Sequence, residues 1–121
     1  MNIFEQLFQN NQKESDWIDY KMKIDFIENH VDFLRDVISF ANNPFEGNQY
    51  IVYGVKENEG ILKLIGLNFD FEKDDAEFQQ LIYENIEPII SISLSRHLYQ
   101  NKNFLMLTIN ADKTQRPFMF R

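Results

Sequence analysis

Glu14-Ser15-Asp16-Trp17-Ile18-Asp19-Tyr20-Lys21-Met22-Lys23 gathers three carboxylates and two ammonium groups within ten residues, with apolar side chains between them. From Ile18 onward the residues alternate, with Ile18, Tyr20 and Met22 on one parity and Asp19, Lys21 and Lys23 on the other, which is the period of a half-buried strand. Such a strand would present Asp19 and Lys21 together on its open face. Glu14 stands just before the alternation, so a short turn through Ser15 and Asp16 would fold its carboxylate back toward Asp19.

Working outward toward the N-terminus, Ile3, Phe4, Leu7 and Phe8 recur at helical spacing, which predicts a short helix over 2–10 that ends at Asn10-Asn11-Gln12. Toward the C-terminus, Asn29 or His30 can cap a helix in which Val31, Leu34, Val37, Ile38 and Ala41 share one face, with Asp32, Arg35 and Asp36 opposite. That helix stops at Asn42-Asn43-Pro44, and Phe45-Glu46-Gly47-Asn48-Gln49 reads as a loop. Tyr50-Ile51-Val52-Tyr53-Gly54-Val55 is apolar throughout, as expected of a strand covered on both faces. Lys56-Glu57-Asn58-Glu59-Gly60 has turn composition, and Ile61-Leu62-Lys63-Leu64-Ile65-Gly66 reads as the returning strand of a hairpin, beside the first. Asp74 with Glu77 resembles a capping box ahead of a helix that buries Phe78, Leu81, Ile82 and Ile86 and closes at Pro88. Two extended segments follow, 89–98 with serines alternating against Ile90, Ile92 and Leu94, and 104–109, apolar enough to lie centrally. Asn101-Lys102-Asn103 is the turn between them. The fold expected is α+β: a single domain over 1–121 with a mixed or antiparallel sheet of about five to six strands, two main helices and a short N-terminal helix.

Length and composition agree, since 121 residues with 44% hydrophobic and 15% aromatic content suffice for one core and not two. The final run Pro117-Phe118-Met119-Phe120-Arg121 has no polar tail, so the domain is expected to be the N-terminal part of a longer chain or to meet a partner copy. The absence of cysteine excludes disulfides and cysteine zinc sites. No stretch approaches the roughly 18 apolar residues of a membrane span, and the start of the chain has no leader pattern, so a soluble, cytoplasmic protein is expected. The formal net charge of −7 argues against a basic footprint for nucleic acid, but the distribution is uneven. Residues 1–87 hold 7 Lys and Arg against 18 Asp and Glu, whereas 88–121 hold Arg96, Lys102, Lys113, Arg116 and Arg121 against Asp112 alone. A cationic rim beside an anionic pocket would follow, unless the split is only an unevenly solvated surface.

Glu14-Ser15 followed by Asp19-Tyr20-Lys21, then Ser39-Phe40-Ala41-Asn42-Asn43, Ile51-Val52-Tyr53-Gly54-Val55, Ile65-Gly66, Ile86-Glu87-Pro88 and Arg116-Pro117-Phe118, resembles in order and spacing the Schlafen AlbA-like domain. The resemblance spans nearly the whole chain. It implies an α+β domain with helices packed against a mixed or antiparallel sheet. Many bacterial members of that family are DNA-binding modules at the front of regulators or defence proteins, and some Schlafen relatives are metal-dependent endoribonucleases acting on transfer or ribosomal RNA. Carried over position by position, it implies Glu14, Asp19 and Glu57 as a catalytic, metal-binding carboxylate set, with Lys21 as the lysine after the second acid. Two departures stand out: the family's Gly-Gly pair is replaced by Asn43-Pro44-Phe45-Glu46-Gly47, and the third acid aligns with Glu57 or Glu59.

Convergent carboxylates offer Mg²⁺ or Mn²⁺ the hard oxygen ligands they prefer, and such a metal acidifies water and steadies phosphoryl charge. Lys21 would then neutralise a phosphate. The structural alternative is that Glu14 caps a turn while Asp19 and Lys21 form an exposed ion pair worth under about 1 kcal/mol. Arg96, Lys102, Arg116 and Arg121 are the candidate contacts to a DNA or RNA backbone, although cations near a sheet edge also discourage edge pairing. His30 reads as a capping or surface residue and His97 as a strand-edge residue or phosphate contact. Trp17 and Tyr20 could stack on bases or lie in the core. Three classes of function remain: a nucleic-acid-binding module, a metal-dependent nuclease acting on structured RNA, and a non-catalytic oligomerisation domain.

Overall fold

The structure, a computed structural model, describes residues 2–24, 29–68 and 75–121. The described chain runs α1 (Ile3–Gln9), β1 (Ile18–Lys21), α2 (His30–Asn42), β2 (Gln49–Tyr53), β3 (Val55–Asn58), β4 (Ile61–Leu64), α3 (Asp75–Asn85), β5 (Ile86–Glu87), β6 (Ser91–Tyr99), β7 (Lys102–Asn110), a 3₁₀ turn (Lys113–Gln115) and β8 (Met119–Phe120). Helices and mixed and antiparallel sheets make one α+β unit, as expected. Among the described residues the strands number eight, distributed over a four-stranded sheet of order β1-β2-β7-β6 and the two-stranded pairs β3-β4 and β5-β8.

β1 is parallel to β2, with α2 as the crossover between them, while β2-β7 and β7-β6 are antiparallel. β7 is central because Phe104, Leu105, Met106, Leu107 and Ile109 are all buried. The sheet is covered on both faces. Ile51, Tyr53, Leu105, Leu107 and Ile109 pack against Phe33, Leu34, Val37 and Ala41 of α2 and Phe78 and Ile82 of α3. On the other face Ile18, Tyr20, Val52, Phe104 and Met106 meet Phe4 and Leu7 of α1. This double coverage explains why β2 reads as a continuous apolar run.

Several local expectations are corrected. The alternation stops at Lys21, and Met22 lies outside the strand at 44% exposure. The face of β1 bearing Asp19 and Lys21 is half-buried rather than open, and Lys21 reaches Asp36 of α2 across it. Asn29 is the cap of α2, its side chain accepting from the backbone N–H groups of Val31 and Asp32; Phe33 rather than Val31 joins the buried stripe. The apolar run from Tyr50 ends at Gly54, whose φ of 104° breaks it, and Val55 opens a separate hairpin. Lys56, Glu57 and Asn58 are therefore strand, the turn is Glu59-Gly60, and the partner of β4 is β3 rather than β2. The β6–β7 turn is Gln100-Asn101, both at positive φ, while Lys102 and Asn103 pair within the ladder. Asp74 falls outside the described residues, and Ile86 is buried in β5 rather than in the preceding helix.

Gly54 is the junction of the architecture. Its N–H donates to the carbonyl of Lys21 at 2.7 Å, and its own carbonyl accepts from Ile65 and Gly66 at 3.0 and 2.8 Å. A Cβ there would sit 2.9 Å from the Phe104 ring, so both the positive φ and the close approach require glycine. One residue thus ties the end of β1 to both ends of the β3–β4 hairpin.

Candidate functional site

The turn before β1 closes through Ser15, whose N–H donates to the Ile18 carbonyl at 3.0 Å. This turn brings Glu14 back along the outer edge of β1, where Glu14 Oε2 accepts the N–H of Tyr20 at 3.1 Å. The Glu14 carboxyl also shares a hydrogen bond with the carboxylate of Asp19. From the hairpin, Glu57 Oε2 accepts the backbone N–H of Glu14 at 2.8 Å. Two of the three expected acids therefore touch, and the third is held one backbone group away. Glu59 instead occupies the hairpin turn at a φ of 52°, so Glu57 is the acid that reaches the site.

Crowding has an electrostatic consequence. The hydrogen bond with Asp19, desolvation and the charges of Asp19 and Glu57 together push the Glu14 carboxyl up to about 7 from 4.5, against the opposing effect of the Tyr20 N–H. Burial, reinforced by Glu57 and Glu14, likewise raises the Tyr20 phenol, whose O–H donates to the Gln12 carbonyl at 2.6 Å. Tyr20 is a core residue at 6% exposure and offers no ring for a base.

Lys21 stands between two carboxylates, with Nζ 3.4 Å from Asp19 Oδ2 and 3.3 Å from Asp36 Oδ2. Burial disfavours its charge, but Asp19 and Asp36 outweigh that and hold its pKa above the ordinary value. The ammonium thus orients Asp19 and ties β1 to α2. Asp36 is a member of the site that sequence reasoning left on the polar face of the helix; the i+4 spacing from Asp32 marked the face but not its target.

The donor set suits a hard divalent cation, being carboxylate oxygens without sulfur or imidazole. Among the described residues, no three acidic or imidazole side chains already stand in a ligating arrangement. One oxygen each of Glu14 and Glu57 is engaged by a backbone N–H, and the Glu14 carboxyl occupies Asp19.

The four cations expected to contact a backbone are dispersed. Arg96 is an exposed residue of β6. Lys102 donates to the Leu64 carbonyl at 2.7 Å. Arg116 donates to the carbonyls of Lys113 and Asn42 at 2.9 and 3.4 Å. Arg121 donates to the Tyr83 carbonyl at 2.9 Å, pairs with Glu87 at 3.3 Å and lies over the Tyr83 ring at 5.6 Å. His97 stacks on Phe4 with centroids 4.3 Å apart and shares a 2.7 Å hydrogen bond with Ser95, and burial lowers its pKa. His30 is the first residue of α2, and Trp17 is half-buried against Phe45 and Tyr50.

A different set of cations surrounds the hairpin. In the β3–β4 register Lys56 is directly opposite Lys63, and both side chains are exposed on the same face. Lys13 lies beside the hairpin turn at Gly60, and Lys102 reaches Leu64 at the opposite end. None of these four ammonium groups forms an ion pair among the described residues. Had Val55-Lys56-Glu57-Asn58 been read as a strand of alternating burial, a two-residue turn at Glu59-Gly60 would have paired 56 with 63.

Residues around the end of α2 serve the fold. Asn42 at the end of α2 donates through Nδ2 to the Phe118 carbonyl at 3.0 Å and accepts the Phe118 N–H at 2.7 Å. Lys113 Nζ donates to the carbonyls of Phe40 and Ala41 at 2.7 and 3.2 Å, and to Gln49 Oε1 at 2.7 Å. The buried Gln49 amide in turn donates to the Asp16 carbonyl at 2.7 Å. These bonds satisfy orphan carbonyls of the helix end and tie the Arg116-Pro117-Phe118 segment to it.

Fold and site together define an α+β domain entered through a parallel β-α-β unit, with a carboxylate cluster along the edge of its first strand. The chain belongs to the Schlafen, AlbA_2 family, whose pattern matches residues 14–120. A similar fold is found in the N-terminal domain of a RecG-related protein of Nitrosomonas europaea, described as related to an ATP-dependent DNA helicase and determined by NMR in solution. The TM-score is 0.63 at 21% identity, over 97% of this chain and 76% of that one. Among curated proteins, none matches significantly. No helix among the described residues is long and apolar enough to cross a membrane.

Proposed function

We propose that this chain is a nucleic-acid-binding module in which the β3–β4 hairpin supplies phosphate contacts. The observation that carries the reading is the Lys56–Lys63 pair, two exposed like charges directly opposite each other with no ion-paired carboxylate among the described residues. Such a pair destabilises a hairpin by a few tenths of a kcal/mol, and a polyanion relieves it. Lys102 adjoins the same hairpin, while Arg96, Arg116 and Arg121 would extend the contact elsewhere on the surface. Family membership and the helicase-related description of the Nitrosomonas protein support DNA or structured RNA as the partner.

Fluorescence anisotropy with single- and double-stranded DNA and transfer RNA over a salt series tests this. Affinity is expected to fall steeply with salt. Lys56→Glu combined with Lys63→Glu should reduce the slope of log K against log salt by about two and weaken binding at least tenfold at about 50 mM salt. Absence of binding at that salt would overturn the reading.

A second reading, a metal-dependent endoribonuclease, is favoured by the contact between the Glu14 and Asp19 carboxyl groups. Glu14, Asp19 and Glu57 would be the ligands to Mg²⁺ or Mn²⁺, with Glu14 giving up its proton to become one. The bound ion would supply a Lewis acid and an acidified water. Lys21 would hold Asp19 in place through the bridge to Asp36, and the Tyr20 N–H would orient Glu14. Cleavage of transfer RNA with Mn²⁺ but not with chelator, lost in Glu14→Gln and Asp19→Asn, is the expected result; cleavage that survives both substitutions would remove it.

A further inference from the structure

Between α1, the β3–β4 hairpin and the β6–β7 turn lies a cleft of ≈ 110 Å³ lined by Phe8, Asn11, Leu62, Leu64, Tyr99 and Gln100. We infer that this cleft seats one unpaired nucleobase of a single strand, an assignment that rests on the nucleic-acid-binding reading and adds a base site on the face of the hairpin opposite Lys56 and Lys63.

The aromatic wall comes first. Phe8 and Tyr99 stack with centroids 5.3 Å apart and planes inclined by 27°, and both are half-buried, so a base meets the open part of an aromatic pair set among mostly polar groups. Leu62 and Leu64 supply apolar contact on the hairpin side. Two carboxamides complete the lining. Asn11 Nδ2 donates to the Gly60 carbonyl at 2.9 Å, which fixes the amide against the hairpin turn and leaves its oxygen as an acceptor. The Gln100 amide has no partner among the described residues and offers a donor and an acceptor side by side, the pairing that a base edge requires. Asn11 and Gln100 both have positive φ, 47° and 50°, so each is presented at a tight bend of the backbone.

Charge makes the occupant a nucleotide rather than a free aromatic ring. Lys102 Nζ is anchored on the Leu64 carbonyl at one rim and Lys13 lies against Gly60 at the other. A strand laid across the hairpin would place phosphates near these ammonium groups, with the intervening base turned into the cleft. A duplex keeps its bases stacked within the helix, so the occupant is an unpaired strand or loop.

The test compares a single-stranded octanucleotide with an abasic strand of equal length and charge, by fluorescence anisotropy and by amide shifts of the ¹⁵N-labelled chain. The base-bearing strand is expected to bind about tenfold tighter, consistent with one stacked base, and to shift the amides of Leu62, Leu64, Tyr99 and Gln100. Gln100→Gly suits the positive φ and removes the amide, and Tyr99→Leu removes the aromatic surface; each should diminish the preference while leaving affinity for the abasic strand unchanged. Equal binding of the two strands, or shifts confined to residues outside the cleft, would overturn the base site while leaving phosphate binding intact. Failure of both strands to bind would overturn the underlying reading as well.

Discussion

At the end of α2, Asn42, Lys113 and Gln49 match donors with acceptors, whereas at the edge of β1 the carboxyl groups of Glu14, Asp19 and Glu57 crowd one another. Both regions include residues of the family signature, Asn42 and Phe118 in the first and Glu14 and Asp19 in the second. In the first, each named bond removes an orphan backbone group and stabilises the fold. In the second, proximity raises the Glu14 pKa, and a proton or a cation is needed to relieve the crowding. Signature status alone therefore does not separate matched bonding from crowded charge; the sign of the local electrostatics does.

The largest effect is expected at the matched end. Asn42→Ala strands the Phe118 N–H and carbonyl, and should destabilise the chain by about 2–3 kcal/mol in urea unfolding, without altering the pH dependence of stability between 4.5 and 7. A loss under about 0.5 kcal/mol would show that the helix end does not depend on this match.

At the crowded end a substitution should stabilise. In the folded chain Glu14 keeps its proton up to about 7, against 4.5 for a free glutamate. Within that window the folded state binds more protons than the unfolded one, so this group's contribution is full below 4.5 and declines as the pH rises to about 7. Glu14→Gln can still accept the Tyr20 N–H and can donate to Asp19. It should therefore raise stability above pH 7 by on the order of 1 kcal/mol, a value reduced for solvent screening, and flatten the slope below it. Thermal unfolding from pH 4 to 8 measures both, and an unchanged slope would remove Glu14 as the titrating group.

The smallest effect separates a third kind of charge. Lys63→Glu should gain only a few tenths of a kcal/mol by exchanging a cross-strand repulsion for an attraction, yet weaken nucleic-acid binding severalfold. A change in stability without a change in binding would assign the Lys56–Lys63 pair to the hairpin alone.

Much of this arrangement is legible in the residues. The strict alternation from Ile18 to Lys21 fixes β1, the apolar run of β2 reports its double coverage, and the charge density around Glu14 locates the carboxylates. What the chain order conceals is pairing. Tyr50 to Val55 reads as one strand because its apolar character continues past Gly54, and only the backbone bend there shows that a new element begins. That misplaced boundary hides the Lys56–Lys63 opposition, which depends on register rather than composition. Asp36 is hidden for the same reason, since a helix periodicity specifies a face but not the neighbour across it. Arg116 and Arg121 carry charge that reads as binding potential, but their guanidinium groups reach backbone carbonyls brought near by the fold.

The double acceptance at the Gly54 carbonyl has a consequence for sequence variation. Because both ends of the β3–β4 hairpin converge on one residue, the segment between them can be exchanged between relatives as a cassette, provided it keeps its inward apolar positions and the glycine. Glu57 and the two lysines would then travel together, since they occupy opposite faces of the same graft.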